Sequence, residues 1–223
     1  MPTYTPVATD DFNRASIGSN WTGTNQLENE ITIYSSTKCT GATANTSSNR
    51  MHGYWSGTGT FSDDQYSQIV VTGVSEITAS YSVGVGVRNS TDTGANRDGY
   101  WFEFQEDSGT AKTTRILKVV NGSVTQLSTT TINWADGDTM RLDIIGSDLK
   151  AYRNDTLISA LNVTDTALTT GKPGITGSGG SSGPWADSWV GGDVTAGAGG
   201  RTTHNPRSFP LGVRLGIRGG ISG

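Results

Sequence analysis

The sequence predicts an all-β protein, built as a sandwich of two antiparallel sheets. Three observations carry that prediction. Residues 137–155, GDTMRLDIIGSDLKAYRND, read as strand, tight turn, strand and second turn, with Met140, Leu142 and Ile144 alternating with Arg141, Asp143 and Ile145. Turn signals recur at a spacing that suits a sandwich, and no segment has a helical period. Strand formers are plentiful: Val, Ile and Thr, with six Trp and seven Tyr.

Residues 1–9, MPTYTPVAT, hold two prolines and read as a short N-terminal arm. Asp10-Asp11-Phe12-Asn13-Arg14 then opens the first strand region. Residues 35–60 are a Ser/Thr/Gly/Asn tract of turns and short strands around Tyr54 and Trp55. Strands follow at 64–72 (DQYSQIVVT), 81–88 (YSVGVGVR), 99–105 (GYWFEFQ) and 114–120, with one more before Trp134. In the second of these Tyr81, Val83, Val85 and Val87 share the core face. The hairpin turns at Gly146-Ser147-Asp148 and Asn154-Asp155, because Gly tolerates positive φ and Ser and Asp bond back to their own backbone. GKPGI at 171–175 turns the chain, TGSGGSSG at 176–183 is a loop, and ADSWVGGD at 186–193 closes the domain.

A chain of 223 residues can bury about 70% of its unfolded surface, so disulfide staples are unnecessary. Cys39 cannot form an internal bridge; it fits a reducing cytosol and reads as a small residue in or near a loop. The net charge of −4 argues against a nucleic-acid-binding surface over the whole molecule. No cationic leader followed by an apolar run opens the chain, and no run is long enough to span a bilayer. An outside location would then be reached by lysis, by a leaderless route, or as part of a particle.

The hairpin at 137–155 resembles one of the concanavalin A-like, or laminin G-like, jelly-roll sandwiches. The resemblance covers about residues 8–193, through DDFNR, DQYSQIVV, GYWFEFQ, GDTMRLDIIGSDLKAYRND, GKPGI and ADSWVGGD in that order. It implies a domain at 10–193 whose two ends, DDF at 10–12 and DSW at 187–189, pair as neighbouring strands. Domains of this kind recur in bacteriophage structural proteins and in secreted bacterial proteins. The fold hosts lectins, adhesion modules, virion surface domains and some glycan-cleaving enzymes, so it narrows the function without assigning it.

Residues 194–223 change character. No acidic residue follows Asp193, and Phe209, Leu211, Val213, Leu215 and Ile217 alternate with Pro210, Gly212, Arg214, Gly216 and Arg218. An extended chain of this pattern has one apolar face and one Gly/Arg face. The segment is read as a docking arm, with Arg207, Phe209, Leu211, Val213, Arg214, Leu215, Ile217 and Arg218 gripping the sheet edge or groove of another subunit in a homo-oligomer or particle. A terminal strand returning to its own sandwich and a free tail are the alternatives.

Catalytic texts are absent. Glycan hydrolases need two flanking carboxylates. Family enzymes of the laminarinase type present Glu-x-Asp-x-x-Glu on one strand, whereas Glu103 and Glu106 here have opposite parity. With His52 and His204 alone, lyase and Ser-His-Asp chemistry lack their histidines, and neither a Gly-x-Ser-x-Gly elbow nor zinc-ligand Cys/His spacing occurs. No cofactor is implied, although Asp10, Asp11, Asp63, Asp64, Asp187 and Asp193 lie near turns where calcium could be ligated. A binding face fits better: if Tyr100, Phe102 and Phe104 face the core, Trp101, Glu103 and Gln105 face out, beside Ser82, Gly84, Gly86 and Arg88; the opposite parity, with Trp101 in the core and Tyr100 outside, is the alternative. Trp101 with Arg88, Glu103 and Gln105 would then form a shallow shelf for a sugar ring. The sequence reading is therefore a non-enzymatic structural or surface-display protein, a bacteriophage virion component such as a capsid decoration or tail-associated protein. Its rivals are a carbohydrate-binding or adhesion module for surface glycans and a divergent glycan hydrolase or lyase.

Overall fold

The computed structural model describes residues 1–23, 31–41, 51–76, 81–90, 97–106, 112–178 and 183–197. The first half of the chain carries β1 (Thr3–Asp10), β2 (Trp21–Gly23), β3 (Ile31–Tyr34), β4 (Lys38–Gly41), β5 (Met51–Trp55), β6 (Gln65–Thr72), β7 (Ser82–Asn89) and β8 (Gly99–Glu106). The second half carries β9 (Lys112–Val120), β10 (Ser123–Ile132), β11 (Thr139–Ile145), β12 (Asp148–Arg153), β13 (Thr156–Leu157), β14 (Val163–Thr164), β15 (Lys172–Ser178) and β16 (Trp185–Thr195). Two antiparallel sheets pack face to face. One has nine strands in the order β13-β12-β11-β6-β16-β4-β3, with β1 on β16 and β14 on β12; the other has seven, ordered β10-β9-β8-β7-β15-β5-β2. This is the concanavalin A-like jelly-roll sandwich that the motifs imply.

Period-two alternation places the core. Met140, Leu142 and Ile144 of β11, Val83, Val85 and Val87 of β7, and Tyr100, Phe102 and Phe104 of β8 are all buried in one cluster between the sheets. Trp189 of β16 packs there against Trp21 at 4.7 Å and Trp55 at 5.4 Å, ring centre to ring centre. Its indole N–H donates to Ser67 Oγ at 2.9 Å, and Ser67 Oγ donates across the core to the Gly174 carbonyl at 2.6 Å.

Both chain ends lie in the nine-stranded sheet. Residues 3–9, read from sequence as an arm, are strand: β1 runs antiparallel to β16 from Thr3 opposite Thr195 to Asp10 opposite Trp189. Pro6 sits at a register shift of this strand, where a missing N–H is tolerated. The two ends thus pair as neighbouring strands, although DDF meets DSW only at Asp10 opposite Trp189, where β1 ends rather than begins. GKPGI does not turn the chain; it opens β15, which pairs with β7 and β5. Cys39 is not in a loop but on β4, fully buried beside the core. β16 takes in Val194 and Thr195, beyond the expected boundary, while residues 198–223, including every docking-arm residue from Arg207 to Arg218, lie outside the described residues.

Asp10 anchors the closure. Its carboxylate accepts from both terminal nitrogens of Arg14 at 2.6 Å, from Trp21 Nε1 at 2.6 Å and from the Phe12 amide at 2.8 Å. Asp10→Ala would orphan a buried indole N–H and leave the Arg14 guanidinium without its carboxylate, held by the Ile17 carbonyl. The expected loss is about 3 kcal/mol, read from urea unfolding followed by tryptophan fluorescence; an unchanged midpoint would remove the anchoring role.

Candidate functional site on the outer face of the seven-stranded sheet

The strand parity that buries Tyr100, Phe102 and Phe104 sends Trp101, Glu103 and Gln105 to the opposite, outer face. Across β7 they meet Gly86, Gly84 and Ser82, and across β9 they meet Leu117, Arg115 and Thr113. Thr176 and Ser178 of β15 and His52 and Tyr54 of β5 continue that face. Gly84 and Gly86 matter here because a Cβ at the first would strike Glu103 and one at the second would strike the Asn89 amide. The bare backbone is a floor on which neighbouring side chains lie.

Two sequence expectations fail on this floor. Trp101 is not an exposed shelf: its relative exposure is 0%, and it forms a separate cluster with Leu117 and Val119. The His52 ring packs at 5.3 Å, the Arg97 guanidinium lies 5.6 Å from the ring centre, and Nε1 donates to Asn89 Oδ1 at 3.1 Å. A large ring beside a glycine floor lies flat, and its neighbours close over it. Arg88 does not join the face either. With φ at 50°, it breaks the strand alternation, and its guanidinium donates to the carbonyls of Asp63, Gly146 and Leu168. That clamp ties together loops at one end of the sandwich; Asn89 takes the place on the outer face instead.

Arg115 supplies what Arg88 does not. It stands directly across from Glu103, with Nε and Nη2 at 3.0 and 2.8 Å from Glu103 Oε1, and Nη2 also donates to Gln105 Oε1. Glu103 is fully buried, whereas the Arg115 side chain keeps 16% of its surface exposed. Gln105 and Thr113 are half-buried beside it, and Thr129 and Thr131 of β10, facing Arg115 and Thr113, are exposed. The result is a strip of guanidinium, amide and hydroxyl groups with the guanidinium fixed from beneath. Sequence reading passed over Arg115 because only register puts it opposite Glu103; its shared parity with Thr113 and Leu117 was the available signal.

His52 is buried under this face, and burial first, then the nearby Arg97 charge, pushes its pKa down to about 3. A histidine held neutral when folded but free to protonate when unfolded adds stability that is complete above about pH 6.5 and is lost as pH falls toward 3. The expected slope is about 1.4 kcal/mol per pH unit in that window. Denaturant unfolding from pH 4 to 7 checks it: His52→Gln should lose that increment of slope, and equal slopes would refute it.

Four of the six turn aspartates are engaged with other groups. Asp10 is taken by Arg14 and Trp21, Asp11 caps the Asn13 amide, Asp64 accepts from the Gly146 amide and Asp193 from the Ser62 amide. Among the described residues no group of three or more His, Cys, Asp or Glu side chains could hold a metal. Nor does the outer face bring a second carboxylate to Glu103 among its described side chains.

No protein-family model matches the chain, and no curated protein matches it. Solved structures do. Carbohydrate-binding module CBM66 from Bacillus subtilis superposes with a TM-score of 0.51 at 16% identity, over 82% of this chain and 98% of that one. The exoplasmic/lumenal domain of VIP36, solved in a Ca2+/Man2-bound form, gives 0.57 at 12% identity over 85% and 88%. The β-glucanase of Bacillus licheniformis gives 0.50 at 13% identity over 85% and 98%. At these identities the likeness is one of fold.

Proposed function

We propose that this protein is a non-enzymatic glycan-binding module whose ligand lies along Arg115, Gln105, Thr113, Thr129 and Thr131. The carrying observation is the guanidinium of Arg115, 16% exposed and oriented by a buried carboxylate within a strip of amides and hydroxyls on one sheet face. Sugar hydroxyls need donors and acceptors at fixed positions, and a guanidinium already ordered by Glu103 loses little freedom on binding. Two of the three similar folds, the carbohydrate-binding module and the Man2-bound domain, support the same reading.

Catalysis fits this face less well. Acid–base cleavage of a glycosidic bond requires a pair of carboxylates on either side of it. Glu103 is buried and engaged with Arg115, and its described neighbours on the face are neutral or basic. The comparisons also favour glycan binding over the virion role that the sequence suggests.

The test is a glycan array with the full chain, then calorimetry on the best ligand. Arg115→Ala should weaken binding by tenfold or more, in keeping with about 1.5–3 kcal/mol for a hydrogen bond to a charged group. Gln105→Ala should weaken it less, and a chelator should leave it unchanged. An array without hits, or equal affinity in Arg115→Ala, would sink the reading.

A further inference from the structure

A sheet edge is a row of unpaired backbone donors and acceptors, and folded proteins keep such rows short or break them with proline or charge. Most edges here obey that rule. β13 and β14 have two residues each, β2 has three, β3 has four, and β1 carries Pro6 at its register shift. β10 does not. It is the terminal strand of the seven-stranded sheet, ten residues long, and its sequence SVTQLSTTTI holds neither a proline nor a charge. Among the described residues its second edge pairs with no strand.

A groove of about 520 Å3 opens at the C-terminal end of the same strand. Ile132, Leu157, Ile158 and Ala160 line its apolar part and Arg153, Asn154, Thr156 and Ser159 its polar part, and Leu157 is 40% exposed. Ser128 of β10 donates to the Leu161 carbonyl of the adjoining short turn at 159–161, and an edge that pairs with no strand among the described residues, beside a partly apolar groove, suits an extended segment with one apolar face.

The chain contains one. We infer that residues 209–217 add to the β10 edge as a further strand and seat their apolar face in this groove. Phe209, Leu211, Val213, Leu215 and Ile217 supply that face, alternating with Pro210, Gly212, Arg214 and Gly216. Main-chain groups of alternate residues point to the same side of a strand, so pairing through the odd-numbered residues turns the N–H-less Pro210 toward solvent, where it costs nothing. The residues between Thr195 and Phe209 reach up to roughly 45–50 Å when extended. Gly212 and Gly216 add no bulk on the other face, and Arg214 stays in water. This inference stands apart from the glycan reading, since β10 offers its edge here and its outer face there.

Hydrogen–deuterium exchange on the full chain tests it, with near-ultraviolet circular dichroism confirming that each variant keeps the sandwich. Two variants are compared with the parent: the triple substitution Leu211→Asp, Val213→Asp, Leu215→Asp, and the groove substitution Leu157→Asp. In the parent, amides within 125–131 and 209–217 should both be protected, and each variant should speed their exchange at least tenfold. Equal rates across 125–131 in all three proteins, or free-chain exchange of 209–217 in the parent, would overturn the pairing. Sedimentation velocity of the parent then assigns the added strand to the same copy if the protein is monomeric, or to a second copy if it is a dimer or larger; either upholds the contact.

Discussion

A two-step hydrogen bond, from the Trp189 indole to Ser67 and from Ser67 to the Gly174 carbonyl, joins the sheets through the core. Burying a hydroxyl is tolerable only when its bonds are made, so this link ties the nine-stranded sheet to the seven-stranded one, and buried Gln65 adds a second tie by accepting from the Arg88 amide and donating to the Gly171 carbonyl. Gly174 takes part because it lacks a Cβ, which would strike the backbone of Gly53 and Tyr54 on the neighbouring strand. β15 is thereby held between β5 and β7, and the outer face built on those strands takes its register from the core beneath it.

That dependence ties the candidate site to the core. On β8, one set of residues fills the core and the interleaved set forms the outer face, so neither can shift without the other. Tyr100 shows the coupling at the core's rim: its hydroxyl donates to Asp165 and accepts from the Leu168 amide, and burial, with the bond to Asp165, pushes its pKa up to about 12. Arg88 grips the Leu168 carbonyl from the adjacent strand. The loops at that end are clamped by core-facing and strand-end residues alike, and the floor under Arg115 stays flat.

What the sequence disclosed follows from which interactions are local. Alternation in YSVGVGVR is a property of a single strand, and it placed Val83, Val85 and Val87 in the core; in GYWFEFQ, aromatic at 100, 101, 102 and 104, it left both parities open, and only packing against the other sheet turns Tyr100, Phe102 and Phe104 inward. The hairpin at 139–153 was equally plain, because its turn chemistry lies inside the segment. Residues 3–9 hid their strand because Pro2 and Pro6 look like linker, and only pairing with β16, far away in sequence, makes them extended. GKPGI hid β15 for the same reason, since Gly and Pro signal a turn until β5 and β7 enclose them. Arg88 and Asn89 could not be told apart from sequence: one positive φ reverses which of them reaches the outer face. The exposure of Trp101 depended on His52, Asn89 and Arg97, none of which a strand pattern places beside it.

The burial of Trp101 changes what the proposed face is able to recognise. A ring without accessible surface cannot stack on a sugar, so recognition passes to polar groups, of which Arg115 is the most strongly held. Its partner Glu103 is a carboxylate with no exposed surface, and a buried charge is tolerable only while it is compensated. An anionic ligand would compete for Arg115 and draw it from Glu103, at a cost set by that burial. A neutral ligand asks only for the donor hydrogens that Glu103 and Gln105 leave over, and the ion pair stays intact while it binds. If the face binds glycans as proposed, the same contact that orders the guanidinium would favour uncharged, hydroxyl-rich sugars over acidic ones.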